Sequence, residues 1–110
     1  MTTDYERFKR AFRNCLSRLG IAGAWDVRFK RAPKGADYQA ECEFSVPAHV
    51  VVVRFSGVAP GCTVAQIARH EAAHVLVAEL VHIGGCRWAN DAEYEQAEEA
   101  VAVILEKVLP

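Results

Sequence analysis

The stretch VAQIARHEAAHVLVAEL, residues 64–80, is small and apolar on nearly every side, yet carries His70, Glu71 and His74 in its middle. Ionisable groups among apolar neighbours are costly unless they are paired or hold a metal. The surroundings predict a helix. Thr63 stands where an N-cap belongs, and Gln66 follows in capping-box register. The helix should run to about Ile83, where Gly84–Gly85 stop it. On such a helix, residues four apart share a face, about 40° apart around the axis. His70 and His74 can therefore aim a ring nitrogen at one cation, with Glu71 beside it.

That arrangement predicts one Zn2+ per chain. Zinc takes nitrogen, sulfur or oxygen ligands in a tetrahedron, and a catalytic ion leaves one position for water. The ion acidifies that water, and Glu71 is the expected general base. A third protein ligand is needed. A histidine six residues after His74 would complete one common pattern, but Leu80 stands there. His82 lies about 12 Å along the same helix, beyond reach of the same ion. His49 remains open as a histidine on the third strand.

The last helix, from Asn90 to about Leu109, offers Glu93, Glu95, Glu98 and Glu99. The chain rises about 13 Å from His74 to Ile83, and an antiparallel helix regains about 12 Å by residue 98. Glu98 is thus level with His74. It also borders the stripe expected to be buried, Ala97, Val101, Ile104, Leu105 and Val108. Glu98 is the expected third ligand. Glu99 and Glu95 are alternatives for that place or for support of a ligand, while Glu93 and Glu106 read as solvated.

Upstream, Tyr5, Phe8, Phe12, Leu16 and Leu19 form one helical stripe, closed by Gly20. AWDVRFK alternates, with Trp25, Val27 and Phe29 on one face. RAPKGAD reads as a hairpin loop, YQAECEFS as a second strand and HVVVVRF as a third, apolar on both faces. The expected fold is α+β: an N-terminal helix, a small three-stranded antiparallel sheet, the HEAAH helix and an antiparallel C-terminal glutamate helix. With 110 residues, a single domain spanning 1–110 is expected.

These features resemble the gluzincin branch of the zincin metallopeptidases, and within it the small single-domain minigluzincins of bacterial and phage type. The resemblance covers the element order of nearly the whole chain. Its specific residues are few: HEAAH, and Glu98–Glu99 in AEEAV. It implies a zincin-like domain in which His70, His74 and a Glu98-type residue bind zinc and Glu71 is the base. It also implies an edge strand, matched here to 49–55, that a peptide or protein substrate could join by main-chain hydrogen bonds. Two features depart from the pattern. The family often supports a zinc histidine with an aspartate four residues after the glutamate ligand. Ala102 holds that place after Glu98, and Glu99 holds it after Glu95. Larger members take an oxyanion donor from a further domain, for which Tyr94 is the local candidate.

The expected activity is therefore zinc-dependent peptide hydrolysis, extending to a latent or weakly active enzyme. The alternative is a catalytically inactive zincin-fold module that binds zinc and a protein partner. Residues 1–34 hold nine Lys/Arg against three Asp/Glu. This basic end reads as a solvated face, and no nucleic-acid or membrane partner is expected. The polar N-terminus and short apolar runs suggest a cytoplasmic protein. Cys15, Cys42, Cys62 and Cys86 lack metal-site spacing and read as buried free thiols.

Overall fold

The computed structural model describes residues 2–85 and 91–108, without the side chains of residues 79, 80, 83–85, 93, 94, 97, 100, 101, 104, 107 and 108. Six elements follow one another: α1 (Asp4–Arg18), β1 (Asp26–Arg31), β2 (Ala40–Ser45), β3 (Val50–Phe55), α2 (Val64–Gly85) and α3 (Asp91–Val108). The fold is α+β. No helix among the described residues is long and apolar enough to cross a membrane.

Thr3 caps α1 by accepting the Glu6 amide on its hydroxyl. The apolar stripe of α1 buries Phe8, Phe12, Cys15 and Leu16. Gly20 ends the helix at φ +74°, a conformation that suits a residue without Cβ.

The sheet differs from the antiparallel one expected. Its order is β1-β3-β2, with β1 parallel to β3 and β2 antiparallel to β3. RAPKGAD is not a hairpin loop. It carries the chain past the end of β3, so that β2 begins on the far side. Ala32 N–H donates to Phe55 O on one flank, and Ser56 N–H donates to Gln39 O on the other. The hairpin is instead β2–β3, turned at residues 46–49 with His49 at φ +52°.

The expected edge strand 49–55 is therefore the central one, and it begins at Val50. A central strand has both rows of main-chain groups committed to neighbours, so it cannot accept a further strand. The edges are β1 and β2. The double-sided apolar character of VVVV suits that central place.

One sheet face packs on α1 and α2. Val51, Val53 and Phe55 are buried there with Phe8, Phe12, Ile67, Ala68, Ala72 and Val75. Phe8 stacks on Phe55 with centroids 4.7 Å apart, and Phe12 meets Phe29 edge-on at 5.6 Å. The other face carries the cross-strand pair of Arg54 with Glu41, and Arg54 also reaches Glu43.

α2 opens with the expected reciprocal cap. Gln66 N–H donates to Thr63 Oγ1, and Thr63 N–H donates to Gln66 Oε1. The helix continues through Gly84 and Gly85 rather than stopping before them. α3 lies against α2, with His70 beside Glu106 and His74 beside Glu98. Ala102 is fully buried, and a methyl side chain there lets the two helices approach closely. The Asn90 cap and Cys86 lie outside the described residues, as do the side chains of Ala97, Val101, Ile104 and Val108 from the expected stripe.

Candidate metal centre

His70 and His74 are one turn apart on α2 and, as their spacing requires, point the same way. Their Nε2 atoms are 3.1 Å apart. The carboxylate that meets them is Glu99, whose Oε1 lies 3.0 Å from His70 Nε2 and Oε2 3.1 Å from His74 Nε2. His70, His74 and Glu99 form the group among the described residues able to hold a metal ion.

Glu98, the expected third ligand, takes another position. Its Oε1 lies 3.0 Å from His74 Nδ1, on the far edge of that ring. The reason lies in Ala102. It points into the helix interface, so the residues three and four before it, Glu99 and Glu98, straddle that interface on either side. The Glu98 side chain is 17% exposed and the Glu99 side chain 55%. The more enclosed carboxylate therefore supports a histidine, and the more open one faces the shared point. Glu95 is exposed and lines the cavity in front of this group. The Tyr94 side chain lies outside the described residues.

Glu106, read as solvated, also belongs here. Its Oε2 is 3.2 Å from His70 Nδ1, and its main-chain carbonyl accepts Arg69 Nε. The available signal was its place seven residues, two full turns, after Glu99. His49 does not join the group. It stacks on Trp25, with its Nδ1 2.9 Å from Ala24 O.

The carboxylates behind the rings bear on where the protons lie. A carboxylate only accepts, so each Nδ1 that faces one carries the ring proton. The two Nε2 atoms and the Glu99 carboxylate then converge within about a hydrogen-bond length. A proton held on one Nε2 and donated to Glu99 or to the other ring satisfies this cluster, and so does a cation bound by both nitrogens and the carboxylate. Tetrahedral zinc at about 2.0–2.1 Å from each ligand spaces ligand atoms roughly 3.3 Å apart, close to the separations here. The carboxylates behind both histidines fix their tautomers, as in established zinc sites. Glu71, Glu98, Glu99 and Glu106 also crowd two imidazoles, a charge balance that a dication offsets. The residues fit zinc.

No protein-family model matches the chain. No curated protein and no solved structure matches it either. The chemistry of the site rests on the residues themselves.

Glu71 is buried, 7% exposed. Burial raises its pKa; a hydrogen bond with Cys42 and the imidazoles of His74 and His70 pull the other way. A carboxyl with a raised pKa suits proton transfer. Burial alone would lower the His74 pKa, but its bond to Glu98 and the charges of Glu71, Glu98 and Glu99 raise it overall. Cys42 on β2 places its Sγ 3.9 Å from the Glu71 carbonyl. Burial and the neighbouring Glu71 push its thiol pKa well up, so it stays protonated. Cys15 is buried as expected, whereas Cys62 is exposed, because it sits on the loop before α2 rather than on an inward-facing strand or helix position.

Two cavities meet at this centre. One, about 460 Å³, runs along β2 from Ala40 to Phe44 and reaches His70, Glu71, His74 and the α3 glutamates. The other, about 870 Å³, lies toward the start of α2. Both share Ala40, His70 and Glu71.

Proposed function

We propose that the protein is a zinc-dependent peptidase of zincin type, with His70, His74 and Glu99 as ligands and Glu71 as general base. The observation that carries this reading is the convergence of two imidazole nitrogens and a carboxylate beside a buried glutamate. Zinc, when bound, supplies Lewis acidity toward a scissile carbonyl and acidifies water. The chain supplies the rest. Glu98 and Glu106 hold the two rings in their tautomers. Glu71 takes a proton from the attacking water and returns it to the leaving amine. Its low exposure limits competing bulk water, and the open side of Glu99 gives access.

An extended peptide fits best beside β2, the edge strand that borders the ligand group. Edge main-chain groups there can pair with a substrate strand. This replaces the central strand as the substrate-binding element. α2 serves as the HExxH helix, and α3 as the glutamate helix running back along it.

The test is cleavage of a pooled peptide mixture by zinc-loaded protein. Wild type should cut, and Glu71→Gln should retain zinc while losing at least about 100-fold in rate. Cleavage unaffected by Glu71→Gln would refute the assigned base. Bound zinc with no cleavage at all would favour the inactive zinc-binding module.

A further inference from the structure

The larger cavity is unlike the smaller one in its chemistry. The smaller is lined by Glu41, Glu71, Glu95, Glu98 and Glu99, so it disfavours an anion. The larger brings together Gln39, Gln66 and Arg69. The oxygens of both glutamines are already used. Gln39 Oε1 accepts Ala59 N–H at 2.8 Å, and Gln66 Oε1 accepts Thr63 N–H at 2.8 Å. That fixes each amide so that its NH2 is the end left to serve the cavity. Arg69 donates Nε to Glu106 O at 3.1 Å, which anchors the guanidinium. Its two terminal nitrogens have no acceptor among the described residues. The carboxylates of this cavity are committed: Glu106 to His70, and Glu71 to its buried place beside Cys42.

We infer that this cavity is a subsite for a substrate carboxylate, seated by Arg69 with the amides of Gln39 and Gln66. The inference rests on the peptidase reading and deepens it by naming a substrate class. Because both cavities meet at Glu71, the carboxylate lies to one side of the bond to be cut. An anchored guanidinium suits a carboxylate through paired, charge-assisted hydrogen bonds. The carboxylate can come from an acidic side chain or from the free C-terminus of a short peptide. Substrates that are neutral there, or bear a cation, lose these contacts.

The experiment uses acetylated five-residue alanine peptides. One ends in an amide and one in a free carboxylate. The others are amides with a single Glu, or a single Gln, at each position in turn. Binding is measured to zinc-loaded Glu71→Gln protein, and cleavage is measured with wild type. At least one carboxylate peptide should bind about tenfold or more tightly than its neutral counterpart. A gain with the free terminus identifies that source; a gain with internal Glu identifies a side chain. Arg69→Gln should abolish the preference, and Arg69→Lys should retain part of it. Gln66→Glu keeps the α2 cap oxygen but replaces a donor with a charge, and should also abolish it. Equal binding of acid and neutral peptides, or a preference that survives both Arg69→Gln and Gln66→Glu, would overturn the inference. Acid preference in binding with no cleavage by wild type would sink the peptidase reading and leave the subsite. Equal cleavage of acid and neutral peptides would do the reverse.

Discussion

His74 Nδ1 donates to Glu98 Oε1 at 3.0 Å, on the opposite edge of the ring from the nitrogen that faces Glu99. This one bond places a ring proton on Nδ1 and leaves Nε2 facing His70 and Glu99. It also separates the roles of two adjacent glutamates that sequence spacing alone nearly superimposes.

The first prediction follows from that separation. Glu99→Gln should weaken zinc binding the most, because it removes a ligand. Glu98→Gln and Glu106→Gln should each cost about 10–100-fold, because they remove support behind a ligand. Competition with a chromophoric chelator gives the ranking. A larger loss in Glu98→Gln than in Glu99→Gln would return the ligand role to Glu98.

The helix interface is the second test. Ala102 is fully buried between α2 and α3. Ala102→Leu should overpack the interface and cost about 1–3 kcal/mol of stability. It should also weaken zinc binding, since Glu98 and Glu99 flank that contact. Thermal melts of metal-free protein and a zinc titration read the two effects. Wild-type values for both would show that Ala102 does not set the helix spacing.

The cysteines give a pH dependence. Burial raises the thiol pKa of Cys42 and of Cys15 in the folded chain. In the unfolded chain both ionise in the ordinary range, about 8.5. Their contribution to stability is therefore complete below that range and is lost as pH rises toward the folded values. Metal-free protein should melt at progressively lower temperature above about pH 8.5, and a Cys15→Ala, Cys42→Ala double variant should show a flatter decline. An identical decline in the variant would remove the thiols as its cause. In native protein, iodoacetamide should modify the exposed Cys62 before Cys15 or Cys42.

Much of this arrangement is legible in the residues. HEAAH spacing places two rings on one face, and the Thr63–Gln66 cap fixes where that helix starts. The valine run marks the third strand but not its place in the sheet, which is the centre rather than the expected edge. Pro33 and Gly35, however, signal only that the chain turns, not which side of β3 it returns on, so β1 pairs parallel rather than as a hairpin. The choice between Glu98 and Glu99 depends on a rotation of α3 of about 100°, one residue's worth. A burial stripe defined by large apolar residues is too coarse to resolve that rotation, because the contact is made by the small Ala102. Glu106 escapes notice because an acid near a helix end ordinarily meets solvent, and its role appears only once His70 is beside it.

The most direct measurement is zinc stoichiometry after loading and extensive dialysis, for wild type beside His74→Ala and Glu71→Gln. Wild type and Glu71→Gln should each hold one zinc per chain, and His74→Ala should lose tight binding. A wild-type protein that retains no zinc, or a His74→Ala variant that binds it as tightly, would contradict the metal centre on which the proposed function stands.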